Sequence, residues 1–177
     1  MAAELREEKS EQSGRKTSSK SAKQAKEVQE QEIAAKQLAD LLILGKTLDE
    51  MVLDCDGTTM ITRRDKAMKE LLKIRDKAGV EQAFVLNAAQ RQIAKDWGRK
   101  NIMLKARQLG MTTYVAARFF IETITRPGTL TVMVAHDQQS AENIFRIVHR
   151  FQEKLPEEMR KGALKTSRAN VRQLVWP

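Results

Sequence analysis

The sequence predicts an α/β fold with helices packed on a parallel sheet, and three observations carry that expectation. Two short apolar runs, Asn101-Ile102-Met103-Leu104 and Leu130-Thr131-Val132-Met133-Val134-Ala135, have the make-up of buried strands. Amphipathic helical patterns stand between and after them, at Thr112 to Thr125 and from Asp137 to about Lys154. Strand, helix, strand, helix at this spacing reads as a right-handed βαβ unit, and 177 residues give room for one such core.

In chain order, residues 1–26 are Lys, Glu, Ser, Gln and Ala with almost no large apolar side chain, and are expected to be a disordered, mildly basic tail. A helical lead-in occupies 27–61, where Val28, Ile33, Leu38, Leu41 and Leu42 recur at helical spacing before Gly45. From residue 62 onward the main domain begins. Thr62 caps a helix from about Arg63 to Lys77, with Met68, Leu71, Leu72 and Ile74 on its apolar side. Asn87 caps another, carrying Ile93, Ala94 and Trp97 inward and ending at Gly98. In the helix from Thr112, the inward positions are Val115, Ala116, Phe119, Phe120 and Ile124. Pro127-Gly128 makes a turn, Asp137 caps the next helix, and a short helical piece and a strand-like stretch from Val171 to Trp176 follow Pro156.

Composition narrows the partners. Lys and Arg number 32 against 23 Asp and Glu, a net charge of +9, which favours polyanions. Aromatic residues are only 5 %, which argues against a sheet-platform RNA-binding module. Cys55 is the single cysteine, so neither an intrachain disulfide nor a multi-cysteine zinc site can form, and a reducing compartment is expected. No apolar run reaches the roughly 20 residues that span a bilayer, and the charged N-terminus lacks a secretory pattern. The expectation is a soluble cytoplasmic protein.

The chemistry concentrates in the loop after the first apolar run, Lys105-Ala106-Arg107-Gln108-Leu109-Gly110-Met111-Thr112-Thr113. Its place between a strand-like run and a helix is that of a phosphate-binding loop, where backbone N–H groups face an anion and a first-turn hydroxyl holds Mg²⁺. Of the pattern G-x-x-x-x-G-K-[ST], Gly110 and Thr112 match, while Lys105 replaces the first glycine and Met111 the lysine. Neutralising the β and γ phosphates then falls to Lys105 or Arg107, which as a bland alternative are solvated loop cations on a tight turn.

With Arg107-Gln108-Leu109-Gly110 in that loop, the chain resembles the N-terminal part of the large subunit of tailed-phage DNA-packaging terminases, whose deviant P-loop contains Arg-Gln-x-Gly. Three other segments agree: Leu71 to Lys77 followed by Phe84-Val85-Leu86-Asn87-Ala88-Ala89-Gln90, Val134-Ala135-His136-Asp137 with the residues to Phe145, and Phe151 to Pro156. The resemblance implies a P-loop NTPase-type parallel sheet flanked by helices, ATP and Mg²⁺ as cofactors, and double-stranded DNA, the portal and the small terminase subunit as partners. It further implies Gln90 as adenine reader and Thr112 as Mg²⁺ ligand, with Lys105 at the position some members use for the phosphate lysine. The family's acidic strand and nuclease domain have no counterpart here, so the resemblance implies an incomplete sheet, a truncated motor and little turnover. No catalytic residue is assigned.

Rival readings come from other segments. Asp54-Cys55-Asp56-Gly57-Thr58 after Met51-Val52-Leu53 matches the D-x-D-G-T nucleophile motif of haloacid-dehalogenase-type phosphatases, against a plain polar turn. Arg160, Lys161, Lys165, Arg168 and Arg172 form a basic cluster that could touch a DNA backbone or merely be solvated. His136 and His149 lack a third ligand for zinc, and Trp97 is expected to close its helix onto the sheet. A non-catalytic nucleic-acid-binding module and a helicase-like ATPase are the remaining alternatives.

Overall fold

The computed structural model describes residues 4–54, 57, 59–76 and 78–176, with side chains from residue 25 onward. A long helix α1 (Glu4–Lys46) leads into a hairpin of β1 (Met51–Leu53) and β2 (Met60–Thr62), then α2 (Arg63–Leu71) and a second hairpin of β3 (Lys73–Arg75) and β4 (Glu81–Ala83). After α3 (Ala88–Lys95) come α4 (Met111–Thr125), α5 (Gln138–Lys154), α6 (Glu157–Lys161) and a third hairpin of β5 (Arg168–Asn170) and β6 (Gln173–Val175). Among the described residues no helix is long and apolar enough to cross a membrane.

α4 is the hub. Tyr114, Ala116, Ala117, Phe120, Ile121 and Ile124 are all buried on it, and α1, α2 and α5 pack around it. Phe119, expected inward, is 39 % exposed, covered in part by Trp97, whose ring lies edge-on to it at 6.4 Å. α1 approaches so closely that a Cβ on Gly45 would lie 2.2 Å from the Thr125 carbonyl oxygen, so glycine is what admits the contact. Arg126 Nε donates to the Gly45 carbonyl at 3.1 Å and fixes it. α1 itself starts at Glu4, inside the segment that composition marks as a tail; Lys, Glu, Gln and Ala are good helix formers, which favours the helical course.

The parallel sheet is not there. Among the described residues every strand belongs to one of three two-stranded antiparallel hairpins, and the P-loop NTPase-type sheet is thereby overturned. Residues 101–104 and 130–135, the expected strands, have no strand partner among the described residues. Burial nevertheless alternates residue by residue from Thr129 to His136, the period of extended chain, with Thr131 and Met133 facing in. Thr131 Oγ1 meets Thr123 Oγ1 of α4 at 2.7 Å on that inner side. Facing out are Leu130 at 86 % and Val134 at 88 % exposure, and Ile102 and Leu104 are wholly exposed. Apolar side chains on both faces call for neighbours on both faces; α4 meets the inner side of the second run, and among the described residues no ladder completes either.

Helix boundaries were legible from caps more than from apolar spacing. Thr62 Oγ1 accepts from the Asp65 N–H at 3.1 Å and starts α2, but the helix stops at Leu71 rather than running to 77. Ile74 instead pairs with Gln82 across the second hairpin. Its turn is held by Asp76 Oδ1, which accepts from the N–H groups of Ala78 and Val80, with Gly79 at φ +82. Lys77 lies outside the described residues.

Asp65, beside that cap, has a buried Oδ1 without a hydrogen-bond partner. Burial pushes its carboxyl above the ordinary range, against the opposing pull of Thr62, Arg118 and Arg64. Between the unfolded value of 3.8 and the raised folded one the native chain holds the extra proton, so Asp65 lowers stability as pH rises through that window. Melting curves of the protein and of Asp65→Asn at about pH 4 and about pH 7 test this. The variant should gain relative to the parent as pH rises, and a gap that shrinks would refute the assignment.

Candidate functional site

The loop singled out by sequence, residues 105–113, lies on the surface between the unpaired run at 101–104 and the start of α4. Two residues from α3 hold it. Asn87, the N-cap of α3, donates from Nδ2 to the Leu109 carbonyl at 3.2 Å, and Gln90 donates from Nε2 to the Gly110 carbonyl at 2.9 Å. The two are locked to each other by a capping box in which Asn87 Oδ1 accepts from the Gln90 N–H and Gln90 Oε1 accepts from the Asn87 N–H. The adenine candidate and the phosphate-loop candidate, twenty residues apart, are thus in direct contact.

That contact gives Gln90 a different immediate task. It is 3 % exposed and both amide heavy atoms are engaged inside the protein. In this arrangement it is a loop anchor, and meeting a base would require its amide to leave Gly110. Asn87 was legible only as a helix cap; its second role, on Leu109, had no sequence signal.

The backbone of the loop is turned by two left-handed residues, Gln108 at φ 61 and Gly110 at φ 69. Gln108 carries strain that glycine would not. Gly110 is the N-cap of α4 and supplies no side-chain hydrogen bond, so the N–H groups of Met111, Thr112 and Thr113 have no acceptor among the described residues. The first return bond of the helix is Tyr114 N–H to the Gly110 carbonyl at 3.0 Å. Open N–H groups at the positive end of a fifteen-residue helix attract an anion.

Side chains around this helix start sort into anchors and cations. Met111 is 2 % exposed, so the position that holds lysine in the standard pattern is an apolar plug here. Lys105, Ala106, Arg107, Gln108, Leu109 and Thr112 are exposed and Thr113 is half-buried. Neither Lys105 nor Arg107 pairs with an acid among the described residues, and from Gly98 to Ile121 the chain has Arg99, Lys100, Lys105, Arg107 and Arg118 with no Asp or Glu. Arg99 and Lys100 were not singled out by sequence, although that acid-free stretch is visible in it. Trp97 packs on α4 and not on a sheet, edge-on to Tyr114 at 6.0 Å and under the Arg118 guanidinium at 4.2 Å.

Gly110→Ala is expected to disturb this loop twice over. Alanine is disfavoured at φ +69, and its Cβ would sit 2.9 Å from Gln90 Nε2. A loss of about 1–2 kcal/mol from the left-handed conformation, read by urea unfolding, should be exceeded by the added clash. A neutral substitution would mean the loop is not held in this conformation in solution.

Other candidates fare differently. Asp54 closes β1, accepts from Lys69 Nζ on both oxygens at 2.9 and 2.8 Å, and sits in an antiparallel hairpin, not at the end of a parallel strand. Its charge is already matched, and Cys55, Asp56 and Thr58 of the phosphatase-like motif lie outside the described residues. His136 contacts the neighbouring Asp137 at 2.6 Å on the surface, and His149 bonds the Asn170 carbonyl at 2.7 Å. Among the described residues no three His, Cys, Asp or Glu side chains gather as a metal site. A separate groove of about 1220 Å³, lined largely by apolar residues such as Phe119, Leu130, Val132, Phe145 and Trp176, opens beside α4 and includes none of the loop residues 105–113.

Compared with protein-family models, with curated proteins and with solved structures, the chain matches none.

Proposed function

We propose that the loop from Lys105 to Thr113 binds the phosphates of ATP, and that the chain is the ATP-binding part of a motor of the phage terminase large-subunit type. The single observation that carries the reading is the hydrogen bond from Gln90 to the Gly110 carbonyl, which ties α3 to the loop at a helix N-terminus without a side-chain cap. The donor set suits a triphosphate: three N–H groups without an acceptor among the described residues, an acid-free stretch in which Lys105 and Arg107 have no acidic partner among those residues, and the exposed Thr112 hydroxyl as a Mg²⁺ ligand. Phosphate binding at this loop depends on the start of α4 and the nearby cations, not on a parallel sheet. A fluorescent ATP analogue with Mg²⁺, titrated by anisotropy, tests it. The chain should bind without appreciable hydrolysis, Lys105→Ala or Arg107→Ala should weaken binding about tenfold or more, and Thr112→Val should remove the Mg²⁺ dependence. Absence of binding, or binding indifferent to all three changes, would dismiss the nucleotide assignment.

A further inference from the structure

The extended run from Thr129 to His136 lies with one side on the protein and, among the described residues, no strand on either edge. Thr131 and Met133 face inward, Thr131 held on Thr123 of α4, while Leu130, Val132 and Val134 face outward, Val132 at 71 % exposure. None of the backbone N–H and C=O groups of residues 130–135 has a hydrogen-bond partner among the described residues. Side chains of both faces, Leu130 and Val132 with Thr131 and Met133, line the groove beside α4, so it is an edge of the run that borders that open space. Natural proteins guard such an edge with charges, a proline or a bulge. Here residues 127–136 contain no Asp, Glu, Lys or Arg, and Pro127 stands before the run rather than in it. The charged residues on the groove wall are Arg126, Glu142 and Arg172; Glu142 pairs with Arg172 and Arg126 with Glu122, so little charge opposes a second chain there.

We propose that two copies of this chain associate through this run, paired antiparallel about a two-fold axis at Val132. Such an axis keeps each face of the ladder on its own side, so residues opposite one another must share a face, and pairing centred on Val132 meets that condition. It sets Val132 opposite its own counterpart and Leu130 opposite Val134 on the outer face, with Thr131 opposite Met133 on the inner one. Charge fits the same arrangement. The uncharged run is bounded by Arg126 before it and Asp137 after it, so an antiparallel partner brings the Arg126 end of one copy to the Asp137 end of the other. Both side chains stay partly exposed beside their present partners, Glu122 for Arg126 and Ser140 and His136 for Asp137. Covering the exposed parts of Phe119, Leu130, Val132, Val134 and Val171 on two copies removes on the order of 1,000 Å² from water, the scale of the smaller stable interfaces. A two-fold pair uses one edge from each copy and closes at the dimer. The inference is independent of the nucleotide reading, since no residue of the loop at 105–113 takes part.

The test is the oligomeric state of the full chain, followed by sedimentation velocity over a range of concentrations without nucleotide. A reversible dimer is expected, with an affinity in the micromolar range that an interface of this size supports. Val132→Lys sets two ammonium groups opposite each other at the axis and should weaken association at least about tenfold. Val80→Lys, at an exposed valine in the turn before β4, should leave association unchanged. Cysteine substitutions read the register, on a Cys55→Ser background because Cys55 is the single native cysteine. With oxidised glutathione, Val132→Cys should form a disulfide-linked dimer, since the Cα atoms of directly opposite residues lie about 4.5–5.5 Å apart and a disulfide spans that separation. Val134→Cys alone should not, because its two copies stand about 13 Å or more apart along the ladder, yet it should cross-link when mixed with Leu130→Cys. If Val132→Lys misfolds by circular dichroism, the cross-links decide alone. A monomer at every concentration, association that survives Val132→Lys, assemblies larger than a dimer, or cross-linking as ready at Val134 as at Val132 would overturn the proposal.

Discussion

Arg64→Met should lower the unfolding free energy by about 3 kcal/mol, the low end of what breaking a buried ion pair costs. Arg64 is 2 % exposed and its guanidinium bridges Asp49 at 3.0 Å and Glu122 at 3.0 Å, joining the turn after α1 to α2 and α4. Asp49 is largely exposed and rehydrates freely, so little of the loss comes from it. Glu122 is the partner left in difficulty: it is sheltered and among the described residues keeps Arg126, the same side chain that holds the Gly45 carbonyl. Burial pulls the Arg64 pKa down, with Arg118 adding to it and Asp49 and Glu122 opposing. A second substitution, Glu122→Leu on the Arg64→Met background, removes the stranded carboxylate and should recover more than half of the loss. Urea unfolding of the single and double variants measures both. A single-variant loss under about 1 kcal/mol would show that the bridge is solvated and that α2 is held to α4 by apolar contact alone.

How far the fold could be read from sequence depended on whether the deciding interaction was local. Thr62, Asn87 and Asp137 all cap the helices they were expected to cap, because each cap is closed within three residues. Apolar spacing was a poorer guide. The run through Leu71, Leu72 and Ile74 looked helical, yet Ile74 belongs to a strand set by the Asx turn at Asp76, a tie that periodicity does not register. The sheet failed for a less local reason. Residues 101–104 and 130–135 have strand composition, and the second even has strand burial, but a strand is completed by its neighbour and composition does not name one. The site was legible in part for the same reason. The loop and Gln90 could each be named, whereas the Arg64 bridge joins positions 58 residues apart and left no pattern to find.

Phe151→Ala should cost about 3–5 kcal/mol, as expected for a fully buried phenylalanine that leaves a cavity. Phe151 is wholly buried on α5, with ring centroids 5.8 Å from Phe120 of α4 and 6.4 Å from Phe84, which follows β4. Phe84 is itself pinned, its N–H donating to the Leu72 carbonyl at 3.0 Å, and Phe120 passes the packing on to Trp176. One ring thus ties the second hairpin, the central helix and the last hairpin to α5. Collapse into the void is opposed on every side, since Phe84 is tied by backbone, Phe120 by a helix and Leu155 by the end of α5. Phe151→Leu keeps much of the volume and should lose far less, which separates a cavity effect from the loss of aromatic contact. The alanine variant should leave the α3-anchored loop at Gly110 intact. Unfolding midpoints for the two variants decide the matter, and an alanine loss below about 1 kcal/mol would mean that α5 does not sit on α4 through this ring.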